Sequence, residues 1–326
     1  MQNKLALVSP YTSSTYMLAR LILFCSMLAS ASALVSQANL AQTKTAPGNA
    51  VQATVASLGS PDWSEPFPPH RMIGNIYYVG SRGLASYLIT TPAGHILINS
   101  NLKTSIPLIR SNIEKLGFHF TDVKILLISH AHFDHDGGSA EVKKLTGAQY
   151  MVMDGDVGVV ESGGKSDFQY GDDPTLAYPA AKVDRVLHDG DEVRLGDTTL
   201  TAHKTAGHTR GCTTWGLKAR EAGKTYDVVI VGSPNVNPGY KLVNNAGYPE
   251  IAADYARGFL ILKSLPCDIF LGAHGSYYEM EAKYARLSGG GTNPYIDPEG
   301  YKNYVAEREQ AFAEELRKQS AAAKKQ

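Results

Sequence analysis

The sequence predicts a mixed fold, α+β or α/β, in which two similar halves each contribute a sheet covered by helices. Three observations point to it. Strand-type runs at 76–79, 86–90 and 95–99 lead through a helical pattern near 105–116 to a further strand at 123–128, and the same order of strand, helix and strand returns between about 192 and 271. With 326 residues, 43% of them hydrophobic, the chain has ample apolar surface for a core. The apolar run Val123-Lys124-Ile125-Leu126-Leu127-Ile128 opens directly into a histidine-dense segment, which places chemistry at the end of a buried-type strand.

From Met17 the chain reads Met-Leu-Ala-Arg, then the apolar run Leu21 to Ala29, then Ala31-Ser32-Ala33. This is the charge, apolar core and small-residue cleavage site of a secretory signal. A signal peptide is therefore expected over 1–33, and the polar, mixed residues before Met17 make Met17 a second candidate start. The apolar run is too short for a permanent bilayer anchor, so the expected destination is the periplasm, without stable membrane insertion. Residues 34–60, rich in Ala, Ser, Thr, Gln and Gly, read as a flexible leader, and 321–326 as a disordered tail.

The elements follow in order. The runs 86–90 and 95–99 flank Thr91-Pro92-Ala93-Gly94, a turn composition, and form an antiparallel hairpin. Ser105, Pro107 and the apolar set Leu108, Ile109, Ile113 and Leu116, closed by Gly117, make a helix crossing to the strand at 123–128. Ala140 to Leu145 is a short helix ended by Gly147, and Gln149 to Met153 a strand. From Asp154 to about Asp184 periodicity is lost, and a loop of that length in a compact domain is more often functional than decorative. Glu192 to Leu195 and Thr198 to His203 form a second hairpin, followed by strands at 213–217 and 226–231, a helix over Tyr255 to Leu265 and a strand at 268–271. Asp297-Pro298-Glu299 opens a C-terminal helix, with Asp as cap and Pro in the first turn.

Totals narrow the function. Lys and Arg number 31 and so do Asp and Glu. There is no basic excess to meet a phosphate backbone, which argues against a nucleic-acid partner. Cys25 leaves with the signal; Cys212 and Cys267 remain, and are read as two buried thiols rather than a bridge.

The segment Ser129-His130-Ala131-His132-Phe133-Asp134-His135-Asp136-Gly137-Gly138 puts three imidazoles and a carboxylate into six residues. His130 and His132, two apart on a bent loop, can reach one ion, while Asp134 and His135 suit a second beside it. Nitrogen and oxygen donors of this kind favour zinc. Solvated loop residues would not show this density.

The pattern resembles that of the metallo-β-lactamase superfamily, whose motif is shared by β-lactamases, thioesterases, lactonases and RNA-processing nucleases. The resemblance covers roughly residues 61–320 and implies one domain, an αβ/βα sandwich with two facing mixed sheets, helices outside and metals at one edge. It also implies two zinc ions, the first held by His130, His132 and His208, the second by Asp134, His135 and His274. His208 in Ala-Gly-His-Thr and His274 in Gly-Ala-His-Gly-Ser sit at strand ends beside a glycine, which lets an imidazole approach an ion without bulk, although each on its own reads equally well as a packing residue. His70, His95, His119, His188 and His203 are read as surface or packing residues.

After the strand at 228–231 stands Gly232-Ser233-Pro234-Asn235, where other members carry a bridging Asp or a Cys ligand. That absence, with Pro238-Gly239-Tyr240-Lys241-Leu242, Tyr248-Pro249 and Leu265-Pro266-Cys267-Asp268, is similar to the third subclass of the zinc β-lactamases. The resemblance implies hydrolysis of the β-lactam amide of penicillins, cephalosporins and carbapenems, hence antibiotic resistance, by a hydroxide shared between two zinc ions and oriented by Asp134. Ser233 and Asn235 would bind the substrate carboxylate, unless they merely shape a turn. The chain departs from the pattern at Asn99, where Asp is common, and at Ala206, where Pro is. A lactonase or thioesterase of the same fold is the alternative; a non-enzymatic zinc-binding envelope protein fits poorly, because three ligands per ion leave an open position. The expected partner is a small β-lactam, and the expected state a monomer.

Overall fold

Strand β5 (Val123–Leu127) shows how the layers arise, because its residues divide between two cores. Ile125 and Leu127 point to one apolar cluster and Leu126 to the other, and in β4 (Gly94–Ile98) Ile96 and Ile98 face the first cluster while Leu97 faces the second. A strand buried on both faces needs apolar residues at nearly every position, which explains the continuous runs. The computed structural model describes residues 60–325. The expected signal peptide (1–33) and all of the expected leader but Ser60 lie outside them.

Seven strands form the first sheet in the order β1 (His70–Ile73), β2 (Ile76–Tyr78), β3 (Tyr87–Thr91), β4, β5, β6 (Gln149–Met153), β7 (Arg185–Leu187). The first pairs are antiparallel, and β4 to β7 run parallel. Five strands form the second: β12 (Ile269–Gly272), β11 (Lys224–Val231), β10 (Thr213–Glu221), β9 (Thr198–Lys204), β8 (Glu192–Leu195), with only β11 and β12 parallel. The larger cluster takes residues from both sheets, among them Ile98, Leu127, Leu200, Trp215 and Ile230. The other packs the first sheet against helices α1 (Ile106–Lys115) and α3 (Ser139–Thr146), between which the chain forms the single turn α2 (Phe133–Asp136) that carries Asp134 and His135. Helices α5 (Ile251–Ser264) and α7 (Pro298–Ala323) pack on each other, with Tyr255 and Phe259 of α5 against Phe312 of α7. This is the expected sandwich of two mixed sheets with helices, although the halves are unequal.

Differences from expectation have local causes. The stretch 154–184 is ordered by short helical turns at Asp154–Asp156, Val157–Glu161 (α4) and Pro174–Leu176, too brief to show a period. Strands β10 and β11 are one long hairpin closed by Ala222 (φ 50) and Gly223 (φ 78), and Lys and Arg on its solvent face hid its length. Strand β1 and helix α6 (Met280–Leu287) were not anticipated. Ser105 makes no capping bond at α1, whereas Asp297 does accept from Gly300 N at α7. Helix α7 runs to Ala323, so the first half of the stretch 321–326 read as a disordered tail is helical. Alanines at 321–323 are the strongest helix formers and sustain it. Among the described residues no helix is long and apolar enough to cross a membrane. Cys212 and Cys267 are free thiols.

Candidate metal centre

The carboxyl ends of β5, β11 and β12, and the loop after β9, meet at one edge of the two sheets. Such ends are where sheets of this kind leave room for ligands. Two bonds fix the meeting: Thr213 N donates to Ser129 O at 2.8 Å, and Trp215 Nε1 donates to Ile128 O at 3.2 Å, both across the sheets. Asn99 sits beneath them in the left-handed region (φ 66), which Asn tolerates better than most residues. Its Oδ1 accepts from Ser129 N at 2.7 Å, and its Nδ2 donates to Ser129 Oγ at 3.0 Å and Ala85 O at 3.3 Å. A carboxylate could not make the donor bonds, so this chain supports the histidine loop with a neutral clamp.

Ligand-type atoms of His130, His132 and His208 lie within 4.8 Å of one another, as do those of His130, Asp134 and His135. His274, on the residue pair following β12, brings its Nε2 to 3.1 Å from His135 Nε2 and 3.5 Å from Asp134 Oδ2, which is itself 3.2 Å from His135 Nε2. The structure thus assembles all six residues singled out from the sequence, although β5 and β12 belong to different sheets. Gly207 has φ +133, and a Cβ there would lie 2.5 Å from the Tyr255 ring, so the residue before His208 must be glycine for the loop to close on α5. His208 Nδ1 donates to Asn235 O at 2.8 Å, because a carbonyl can only accept, and its Nε2 lone pair is left for the centre.

Burial, then the neighbouring imidazoles, push His130 well below its ordinary value. Burial and His132 bring His208 to about 3, and burial and His135 bring His274 to about 4. All three are neutral at pH 7, the form that ligates. Burial would raise Asp134, but His135 and then His274 overcome it and hold the carboxyl well below the usual range. For His132, burial lowers the value but the Asp167 carboxylate outweighs it and raises it on balance. Asp167 Oδ2 lies 3.7 Å from His132 Nε2, beyond the roughly 2.7–3.2 Å of a hydrogen bond, and neither atom has another partner. The pair is an electrostatic contact rather than a hydrogen bond.

Buried polar atoms without partners concentrate here, including His130 Nδ1, His132 Nε2, His135 Nδ1 and Asp167 Oδ2. The donor atoms that converge, those of His130, His132 and His208 and of His130, Asp134 and His135, are buried imidazole nitrogens and a carboxylate oxygen within 4.8 Å of one another, a costly arrangement without a cation, so this donor set fits metal ions.

The centre opens into a cleft of about 390 Å³ whose lining includes Trp63, Phe133, Tyr170, Asn235 and Arg308. A larger concavity of about 1020 Å³ lies against Thr201, His203 and Lys218 of the second sheet and does not include any of the six residues. Of the two expected substrate contacts, Asn235 lines the cleft and Ser233 does not: Ser233 is 1% exposed, with its Oγ 3.2 Å from Tyr277 OH. A Cβ at Gly232 would lie 2.5 Å from Thr213 O, and this close strand approach forces the turn inward and takes Ser233 with it. His70 and His95 are buried in packing positions, His119 and His188 are exposed, and His203 lies on the second sheet.

Sequence reasoning missed Asp156, Asp167, Tyr277 and Arg308. Asp156 is buried: its Oδ2 accepts from Ala131 N at 2.9 Å and Thr209 Oγ1 at 2.8 Å, and its Oδ1 from Gly211 N at 2.7 Å. Asp156 and Asp167 both lie in the 154–184 stretch, whose unusual length was the available signal. Tyr277 and Arg308 carried none.

Comparison with known proteins agrees with this geometry. The sequence profile of the metallo-β-lactamase superfamily matches residues 80–274. The native FEZ-1 metallo-β-lactamase of Legionella gormanii superposes with a TM-score of 0.78 at 56% identity, over 79% of this chain and 98% of that one. BJP-1, a subclass B3 metallo-β-lactamase of Bradyrhizobium japonicum, does so with a TM-score of 0.76 at 40% identity, over 81% and 98%. A metal-dependent hydrolase of Anaeromyxobacter dehalogenans is 28% identical over 65% of this chain and 69% of its own length. A profile that spans both ligand-bearing halves, and a near-complete match to solved members, place the chain within the metallo-β-lactamase superfamily.

Proposed function

We propose that the protein is a zinc β-lactamase of the B3 type that opens the β-lactam amide of penicillins, cephalosporins and carbapenems. The observation that carries the reading is the completion of the second triad by His274, with neither carboxylate nor thiolate at Gly232-Ser233. Likeness to FEZ-1 and BJP-1, both named as β-lactamases, supports it over the lactonase and thioesterase alternative.

His130, His132 and His208 would hold one zinc and Asp134, His135 and His274 a second. Zinc bound there supplies a nucleophile from water at neutral pH and polarises a carbonyl oxygen. The chain's own residues do the rest. Asp134, ionised, accepts a hydrogen bond and so orients attacking water. The Nδ1–H of His208, spent on Asn235 O, fixes the tautomer, and Asp167 faces the far nitrogen of His132, which raises that ligand's basicity. Trp63 and Phe133 give the cleft an apolar wall against which a bicyclic ring can lie. Asn235 is in place to meet the substrate carboxylate, and Ser233 supports it through Tyr277, whose OH also accepts from Asn235 Nδ2 at 2.8 Å.

The test is steady-state hydrolysis of one penicillin, one cephalosporin and one carbapenem, beside a homoserine lactone and a glutathione thioester. Turnover of the β-lactams alone is the expected result; turnover of the lactone or thioester alone would replace the reading with the alternative. The residues at 1–33 support export to the periplasm, for which a mature N-terminus at Leu34 is the check.

A further inference from the structure

We propose that Arg308, on the C-terminal helix, is the cationic anchor for the substrate carboxylate in this cleft. The inference rests on the β-lactamase reading and assigns a binding residue that reading lacked. Among the described residues, Arg308 is the one Lys or Arg that lines the cleft, in which Asp134, His208 and His274 also lie.

Its surroundings leave the guanidinium underused. NH1 reaches Asn235 Oδ1 at 3.5 Å, the limit of a hydrogen bond. NH2 is 3.9 Å from the carboxylate of its neighbour Glu307, whose side chain is 69% exposed, a pairing of little worth. Nε is buried with no partner. The group lies 5.8 Å from the Tyr304 ring, and Tyr304 stacks on Tyr277, so the fork is held from behind by aromatic packing rather than by an anion. A half-buried arginine with spare donors, beside a polar amide and facing a cleft, matches the two oxygens of a carboxylate in one plane.

The geometry also explains why Ser233 does not take the role. Ser233 is buried with its hydroxyl against Tyr277, which itself lines the cleft, while Asn235 connects Tyr277 and Arg308: its Nδ2 goes to Tyr277 and its Oδ1 to Arg308. Asn235 thereby orients the arginine as well as offering its own edge to the ligand. Penicillins, cephalosporins and carbapenems share one carboxylate beside the ring nitrogen, and a cation at this wall would bind all three while leaving the reacting carbonyl to the metal centre.

The experiment compares the wild type, Arg308→Met and Arg308→Lys on a cephalosporin and on its methyl ester, with zinc content and Tm measured on each protein. Arg308→Met is expected to raise KM for the acid on the order of 10- to 100-fold, to leave kcat within about twofold, and to leave the ester's kinetics unchanged. Arg308→Lys, which keeps the charge but not the fork, should fall between. Asn235→Ala should raise KM for the acid by a smaller factor. Raised ionic strength should raise the wild-type KM for the acid and not that of Arg308→Met. An equal loss on acid and ester, or an unchanged KM for the acid in Arg308→Met, overturns the assignment while the wild type stays active. A wild type that hydrolyses no β-lactam overturns the functional reading, and the assignment with it.

Discussion

His208→Ala is expected to lose the zinc held by the three-imidazole set and nearly all β-lactam hydrolysis, a fall larger than the roughly 10- to 100-fold typical of an outer partner. With His208 gone, only His130 and His132 remain for that ion, and two buried imidazoles hold zinc poorly against water. His274→Ala should instead weaken the site of Asp134 and His135, whose three donor atoms lie within 3.5 Å of one another. Metal analysis should give close to one zinc per chain for each variant against two for the wild type. A chelator should abolish activity in the wild type, and added zinc should restore it, because no side chain in the cleft is placed as a nucleophile. The cleft lining contains no cysteine, and its one serine, Ser276, is not in a Ser-x-x-Lys or Gly-x-Ser-x-Gly setting. Full zinc and full rate in either variant would show that the ligand assignment is wrong, and activity persisting in metal-free protein would do the same for the mechanism.

Asp156→Ala should produce the second-largest effect, although Asp156 is not itself among the six proposed ligands. Ala131 lies between His130 and His132, and Thr209 follows His208, so one carboxylate ties together the two segments that carry the first triad. Its removal strands the N–H groups of Ala131 and Gly211, at roughly 1–3 kcal/mol each, and frees the loops to separate. The expected result is a lower Tm and about 10- to 100-fold weaker zinc binding at the first triad, with the second triad less affected. Asp156→Asn retains one acceptor oxygen and should recover part of both. Zinc titration resolves this positioning role from a purely structural one: a lower Tm with unchanged zinc affinity at both sites would leave Asp156 as packing only.

The sequence by itself determined the class of chemistry and much of the architecture. Its His-x-His-x-Asp-His segment after an apolar run marks a metal loop at a strand end, because four of the donors are neighbours in the chain and need no folding to be counted together. The runs at 86–90, 95–99, 123–128 and 149–153 read as strands because, with both faces buried, nearly every side chain must be apolar. His208 and His274, by contrast, came into the site through resemblance, since an adjacent glycine at a strand end is only a weak local signal and they meet the loop only when β9 and β12 bring them across the sheets. Long-range packing likewise decided that Ser233 turns inward under Gly232, that Asp156 ties the two ligand loops, and that α7, read from its sequence as a charged helix like any other, presents Arg308 to the cleft. A residue's chemistry is written in its own side chain, but whether that side chain faces solvent, core or substrate depends on partners tens to hundreds of residues away, and only the tertiary structure brings those partners into contact.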